Sequence, residues 1–126
     1  MFDHEKLDVY RVALEFVKWV YVHCAKLTGA ARFARDQILR SSQSIVQNIA
    51  EGNGKWSGAE RRRYFDIARG SAFESASVLD IFHVINAIDE STIDVGKGLL
   101  VRIVSMLTKM TDPALVKEDE AEYREG

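Results

Sequence analysis

Three consecutive arginines, Arg61, Arg62 and Arg63, follow closely on Lys55 and Trp56. A guanidinium presents its donors in a rigid fork that matches phosphate oxygens. An indole beside such groups offers a face on which a nucleic-acid base stacks. The chemistry this grouping suits is contact with a phosphate backbone, and Arg69 extends it. The alternative is a solvated face neutralised by Glu60 and Asp66. The arginines fall in the first turn and a half of a predicted helix, where the helix dipole disfavours cations. Such placement points to a demand from outside the chain.

Other reactive residue types are less well arranged. Asp80-Ile81-Phe82-His83 has the carboxylate-x-x-histidine spacing of di-metal helical bundles. Those sites need a second such pair and two further carboxylates, and neither His4 nor His23 has a carboxylate three residues before it. His83 is read as an edge or interface residue. The single cysteine, Cys24, excludes an intramolecular disulfide and any multi-cysteine metal site. It falls on an apolar helix stripe and is read as core, because adjacent His23 points away from it on a helix. No Ser–His–Asp order, phosphate loop or paired catalytic carboxylates stand out. The expectation is a protein that is not an enzyme and carries no metal or cofactor.

Small and polar residues recur at helical steps in two apolar segments. Ser41, Ser44, Asn48 and Glu51 lie on one flank of the first; Arg63, Gly70, Ser71 and Glu74 form a series in the second. One reading is a hydrogen-bonded seam between two helices, with Gly70 and Ser71 allowing close approach and Asn48 and Glu51 satisfying polar groups across the contact. Buried polar groups can fix register and assembly in this way. The other reading is a small-molecule or phosphate site at the seam, but no glycine-rich strand-to-helix loop accompanies it.

The elements that carry these residues are four predicted helices. The first spans about Glu5 to Thr28, stopped by Gly29. Tyr10, Ala13, Leu14, Val17, Tyr21 and Cys24 make one apolar stripe, and Val9, Val12, Phe16 and Trp19 a second. The second helix spans about Phe33 to Glu51, with Ile38, Ser42, Ile45 and Ile49 as a narrow apolar face, and ends at Gly52 and Gly54. The third opens on Ser57-Gly58-Ala59-Glu60, a capping-box pattern, and is expected to reach Ile88. The fourth spans Ser91 to Met110, weakened early by Gly96 and Gly98. Short connections favour an up-down-up-down four-helix bundle over residues 1–112. Residues 113–126 follow the only proline, Pro113, as an acidic tail expected to be mobile.

A chain of 126 residues, 47% apolar, fits one all-α domain. The formal net charge of -2 gives no global case for nucleic acid, but it hides an asymmetry. Arg32, Arg35, Arg40, Lys55, Arg61, Arg62, Arg63 and Arg69 outnumber Asp36, Glu51, Glu60 and Asp66 in the middle, whereas Glu118, Asp119, Glu120, Glu122 and Glu125 dominate the tail. The tail could fold back and screen the basic patch. No apolar run is long enough to span a bilayer, and the opening MFDHEKLDVY lacks a signal-peptide pattern. The expectation is a cytoplasmic protein with no membrane partner.

Each helix of such a bundle needs about one apolar stripe. Val9, Val12, Phe16 and Trp19, with Val78, Ile81, Ile85 and Ile88, exceed that need. They are expected to form an exposed patch through which the chain self-associates; the alternative is that they thicken the core.

The segments Arg40–Gly52, RSSQSIVQNIAEG, and Tyr64–Glu74, YFDIARGSAFE, joined through Gly54, Lys55 and Ser57, resemble the four-helix-bundle proteins encoded in intervening sequences of bacterial 23S ribosomal RNA. The opening FDHEKLDVYRVALEFVKWVY is similar to the first helix of that family, and the accessory variability determinant of diversity-generating retroelements is related. The resemblance covers about residues 2–110. It departs at Leu27–Ala31, where a proline and a glutamate are usual, at Ser41, where alanine often stands, and at Ser75-Ala76-Ser77, which is smaller than usual. The resemblance implies a homo-oligomeric ring, plausibly a pentamer, associated with RNA or with a nucleic-acid enzyme. The expected function is a non-enzymatic assembly presenting a repeated basic surface to RNA or an RNA-handling partner. The alternative is a protein-binding scaffold without nucleic acid.

Overall fold

The computed structural model describes residues 2–112, and the acidic segment 113–126, with the fold-back expected of it, lies outside them. Four helices form: α1 (Asp8–His23), α2 (Arg32–Asn53), α3 (Gly58–Val84) and α4 (Glu90–Met110). Short 3₁₀ turns at Asp3–Lys6 and Gly29–Ala31 precede α1 and α2. Consecutive helices pack side by side and α4 returns to α1, so the bundle closes. The most extensive contact is between α2 and α3. No strand occurs among the described residues, and none of their helices is long and apolar enough to cross a membrane.

Local chemistry sets the helix ends. The Ser57 hydroxyl accepts the Glu60 backbone N–H at 3.1 Å, which starts α3 as the capping pattern predicts. That helix stops at Val84, short of the expected Ile88. Asn86 adopts a φ of 55°, Ala87 N–H reaches back to the Phe82 carbonyl at 2.9 Å, and Asn86 N–H to that of His83 at 3.1 Å. This is a Schellman ending with asparagine in the left-handed position. The first helix also stops early, at His23 rather than Thr28. The Arg35 guanidinium of α2 takes the Leu27 carbonyl at 2.8 Å, and Gly29 turns the chain with a φ of 64°.

The core corrects the expectation for α1. The stripe Val9, Val12, Phe16 and Trp19 was expected at an exposed oligomer interface, yet all four side chains are buried inside the bundle. Val78 is buried as well, and Ile88 packs half-buried against the core; of that predicted surface only Ile81 and Ile85 are exposed. The other stripe supplies Ala13 and Cys24 to the core, while Leu14 and Tyr21 face solvent. Phe16 and Trp19 carry the largest apolar area on the helix, and burying each such side chain contributes roughly 1.5–3 kcal/mol. Their face therefore wins.

A glycine makes room for it. A Cβ on Gly96 of α4 would lie 2.7 Å from the Trp19 ring, so the indole lies directly against the α4 backbone. The same holds at Gly52 of α2, where a Cβ would meet the Phe65 ring at 2.8 Å. On α2 the expected face is borne out, with Ile38, Ser42, Ile45 and Ile49 all buried.

Candidate nucleic-acid interface

The α2–α3 connection, residues 54–57, places the two ends of the basic series together. Lys55 Nζ lies 5.1 Å from the centre of the Tyr64 ring, and the Arg63 guanidinium lies 5.8 Å from it. Cations over an aromatic face are attracted by its quadrupole. One tyrosine thus holds a lysine from the connection and an arginine from the helix. Lys55 is also 3.7 Å from the Glu51 carboxylate one turn earlier. Trp56 exposes 81% of its surface beside them.

Arg61, Arg62 and Arg63 form no ion pair among the described residues, so neutralisation by Glu60 and Asp66 is not what the structure shows. Successive helical residues are rotated by about 100°, so the three arginines fan around α3. Arg61 and Arg62 are half-buried and Arg63 is exposed. Arg69 contacts a different ring from Lys55 and Arg63. Its guanidinium sits 5.5 Å from the Phe73 ring centre, and its buried Nε has no hydrogen-bond partner among the described residues. Phe73 lines an open groove of about 290 Å³ between α3 and α4, with Ala76, Lys97, Leu100, Val101 and Val104. Arg69 stands two turns after Arg62 on the same face of α3, whereas Lys55 and Arg63 gather on Tyr64.

The seam between α2 and α3 is a ladder of serines. Ser41 and Ser75, both fully buried, share a hydrogen bond of 2.7 Å. One turn along, Ser44 and Ser71 are 2.9 Å apart. At the exposed edge Glu74 accepts from Arg40 at 2.9 Å and Gln37 at 3.4 Å. The structure places Ser41, Ser44, Ser71 and Glu74 together along the α2–α3 contact. Asn48 instead donates within its own helix, to the carbonyl and hydroxyl of Ser44 at 2.8 and 3.1 Å. Glu51 is exposed and engaged with Lys55, and none of the described residues stands within 4 Å of a Cβ on Gly70. Neither Glu51 nor Gly70 takes part in the serine ladder.

Beside the seam lies an open cleft of about 630 Å³, between the first 3₁₀ turn and the end of α2. His4, Gln47, Asn48, Ala50, Glu51, Gly54 and Lys55 line it. The His4 ring meets Tyr10 edge-on at 4.7 Å and stacks on Phe2 at 5.8 Å. Sequence reading missed His4, Gln47, Tyr64 and Ser75 as members of these sites. Tyr64 was legible in principle, as an aromatic next to Arg63.

The other reactive groups are occupied structurally. Cys24 is buried, and loss of solvation pushes its thiol up to about 12. Asp80 of the carboxylate-x-x-histidine pair makes a salt bridge with Lys97 of α4, and His83 is exposed. At the start of α4 the hydroxyls of Thr92 and Ser91 hold the Asp89 carboxyl below its usual range.

Comparison with known proteins gives a consistent picture of the fold. A solved structure of a protein of unknown function from Bacteroides thetaiotaomicron, described as a member of the S23 ribosomal protein family, is similar with a TM-score of 0.76. The two chains are 24% identical, and the likeness covers 82% of this chain and 94% of that one. No curated protein matches the chain. The family model described as 23S rRNA-intervening sequence protein matches residues 5–109, which takes in all of α1, α2 and α3 and nearly all of α4. The chain belongs to the 23S rRNA-intervening sequence protein family.

Proposed function

We propose that this protein is a non-enzymatic, self-associating bundle that presents a repeated basic surface to RNA. The observation that carries the reading is the cluster of Lys55 and Arg63 on Tyr64, beside exposed Trp56 and two arginines without ion-pair partners among the described residues. Unpaired cations next to aromatic faces are what a flexible, stacked strand needs. The family name is in keeping with an RNA context but assigns no activity. Buried Cys24 and the Asp80–Lys97 pair leave those groups in structural roles.

Self-association draws support from apolar side chains that the bundle leaves outside. Phe73, Val95 and Val101 are exposed along α3 and α4, and exposed apolar patches commonly mark protein contacts. A closed ring of five copies would repeat the basic cluster in each subunit, so weak contacts would act together on one RNA. The protein would act in the cytoplasm.

The test is binding of purified protein to a structured RNA and to duplex DNA of equal length, with the Arg61→Ala/Arg62→Ala/Arg63→Ala variant as control. RNA preference that is lost in the variant supports the reading. Absence of binding at low salt leaves a protein-binding scaffold, which self-association measured by light scattering would then define.

A further inference from the structure

The cleft at the end of α2 carries an inference about what kind of RNA the surface takes. Its volume of about 630 Å³ is that of a small-ligand site. Its lining is rich in groups that hydrogen-bond: the amides of Gln47 and Asn48, the His4 imidazole, the Glu51 carboxylate and the Lys55 ammonium. The Asn48 amide nitrogen is already committed to Ser44, which leaves the side-chain carbonyl oxygen as the acceptor a ligand can use. An exocyclic amine on a nucleobase is a donor of the right kind, and asparagine and glutamine amides are common partners of base edges. His4, held between Phe2 and Tyr10, adds an aromatic surface. Lys55 belongs to both sites, lining the cleft and lying over the Tyr64 ring that Arg63 also contacts.

We propose that this cleft seats one unstacked base of single-stranded RNA, while Lys55 and Arg63 carry the flanking phosphates. The proposal rests on the nucleic-acid reading above. Paired bases are stacked inside an A-form helix and cannot enter such a cleft, so recognition of this type selects single strands, loops or bulges.

The test compares a labelled single strand of roughly twelve nucleotides with the duplex of the same sequence, using fluorescence anisotropy across a salt series. The proteins are the full chain, Gln47→Ala, His4→Ala and Arg63→Ala, each checked for helix content by circular dichroism. Gln47 is exposed, so its truncation should leave the fold intact. The expected result is single-strand binding about tenfold tighter than duplex binding. Gln47→Ala should cut that preference several-fold without changing the salt dependence, since it removes a base contact and no charge. Arg63→Ala should flatten the salt dependence. Equal binding of single strand and duplex overturns the proposal, as does a preference that survives both Gln47→Ala and His4→Ala. In either case, weaker binding by Arg63→Ala leaves the nucleic-acid reading standing. Absence of binding to both probes at low salt removes both.

Discussion

Ser41 of α2 and Ser75 of α3 face each other at the centre of the bundle, fully buried, with their hydroxyl oxygens 2.7 Å apart. Each lies where the sequence departs from the pattern it otherwise resembles. The departures are the two ends of one hydrogen bond. A buried hydroxyl with a partner is tolerated, whereas one without costs about 1–3 kcal/mol. Ser41→Ala, which orphans the Ser75 hydroxyl, should therefore destabilise the fold by roughly that much, and Ser75→Ala by less, because the Ser41 hydroxyl keeps the Ile38 carbonyl at 3.4 Å. The double variant should cost less than the sum, because it leaves no orphan. Urea denaturation of the four proteins checks this; additive losses would mean that the pair is not coupled.

The glycines separate into two kinds. Gly96→Ala would drive a methyl group into the Trp19 ring, and Gly52→Ala into Phe65. Each should destabilise by about 1–3 kcal/mol. Gly70 sits inside α3 with none of the described residues within 4 Å of an added Cβ, so Gly70→Ala should stabilise by about 0.5–1 kcal/mol. Thermal melts of the three variants distinguish them, and a destabilised Gly70→Ala would show that this position does form a close contact.

Cys24 has a folded-state thiol pushed above its usual value of 9.0, to about 12. Below pH 9.0 both states keep the proton and stability does not depend on this group. Above it the unfolded chain loses the proton first, so the unfolded state binds fewer protons and stability falls as pH rises toward about 12. Cys24→Ser or Cys24→Ala should remove this contribution to the alkaline slope. A thiol reagent at pH 8 should label the native protein only as fast as it opens; rapid labelling would contradict a buried thiol.

Arg40 and Glu74 close the seam at its wet edge, with the Arg40 side chain mostly exposed. Exposed pairs contribute little. Arg40→Ala should cost less than about 1 kcal/mol, well below the loss from the buried serines. A larger loss in a denaturation curve would assign the edge pair a structural role beyond its exposure.

The helices were legible because their signals are local: Ser57 as a cap and the apolar steps of α2. What escaped depended on partners distant in sequence. The choice between two apolar stripes on α1 turns on where Trp19 finds room, and that room comes from Gly96, read from sequence only as a weak helix former. The end of α3 at Asn86 looked apolar because the flanking residues are apolar; asparagine's tolerance of the left-handed region was the available signal. In the candidate site, the arginine triplet was visible, but its fan around α3 and the gathering of Lys55 and Arg63 on Tyr64 required the turn between the helices. Ser75 was seen only as small, since nothing nearby in sequence names its partner.

The most direct test of the basic surface is the slope of log affinity against log salt for single-stranded RNA, in the full chain and in Arg61→Ala/Arg62→Ala/Arg63→Ala. Each phosphate contact on a single strand contributes about 0.7 to that slope. The account predicts salt-sensitive binding by the full chain and a slope smaller by about 2 in the variant. Identical slopes and affinities, or no binding by the full chain at low salt, would contradict it.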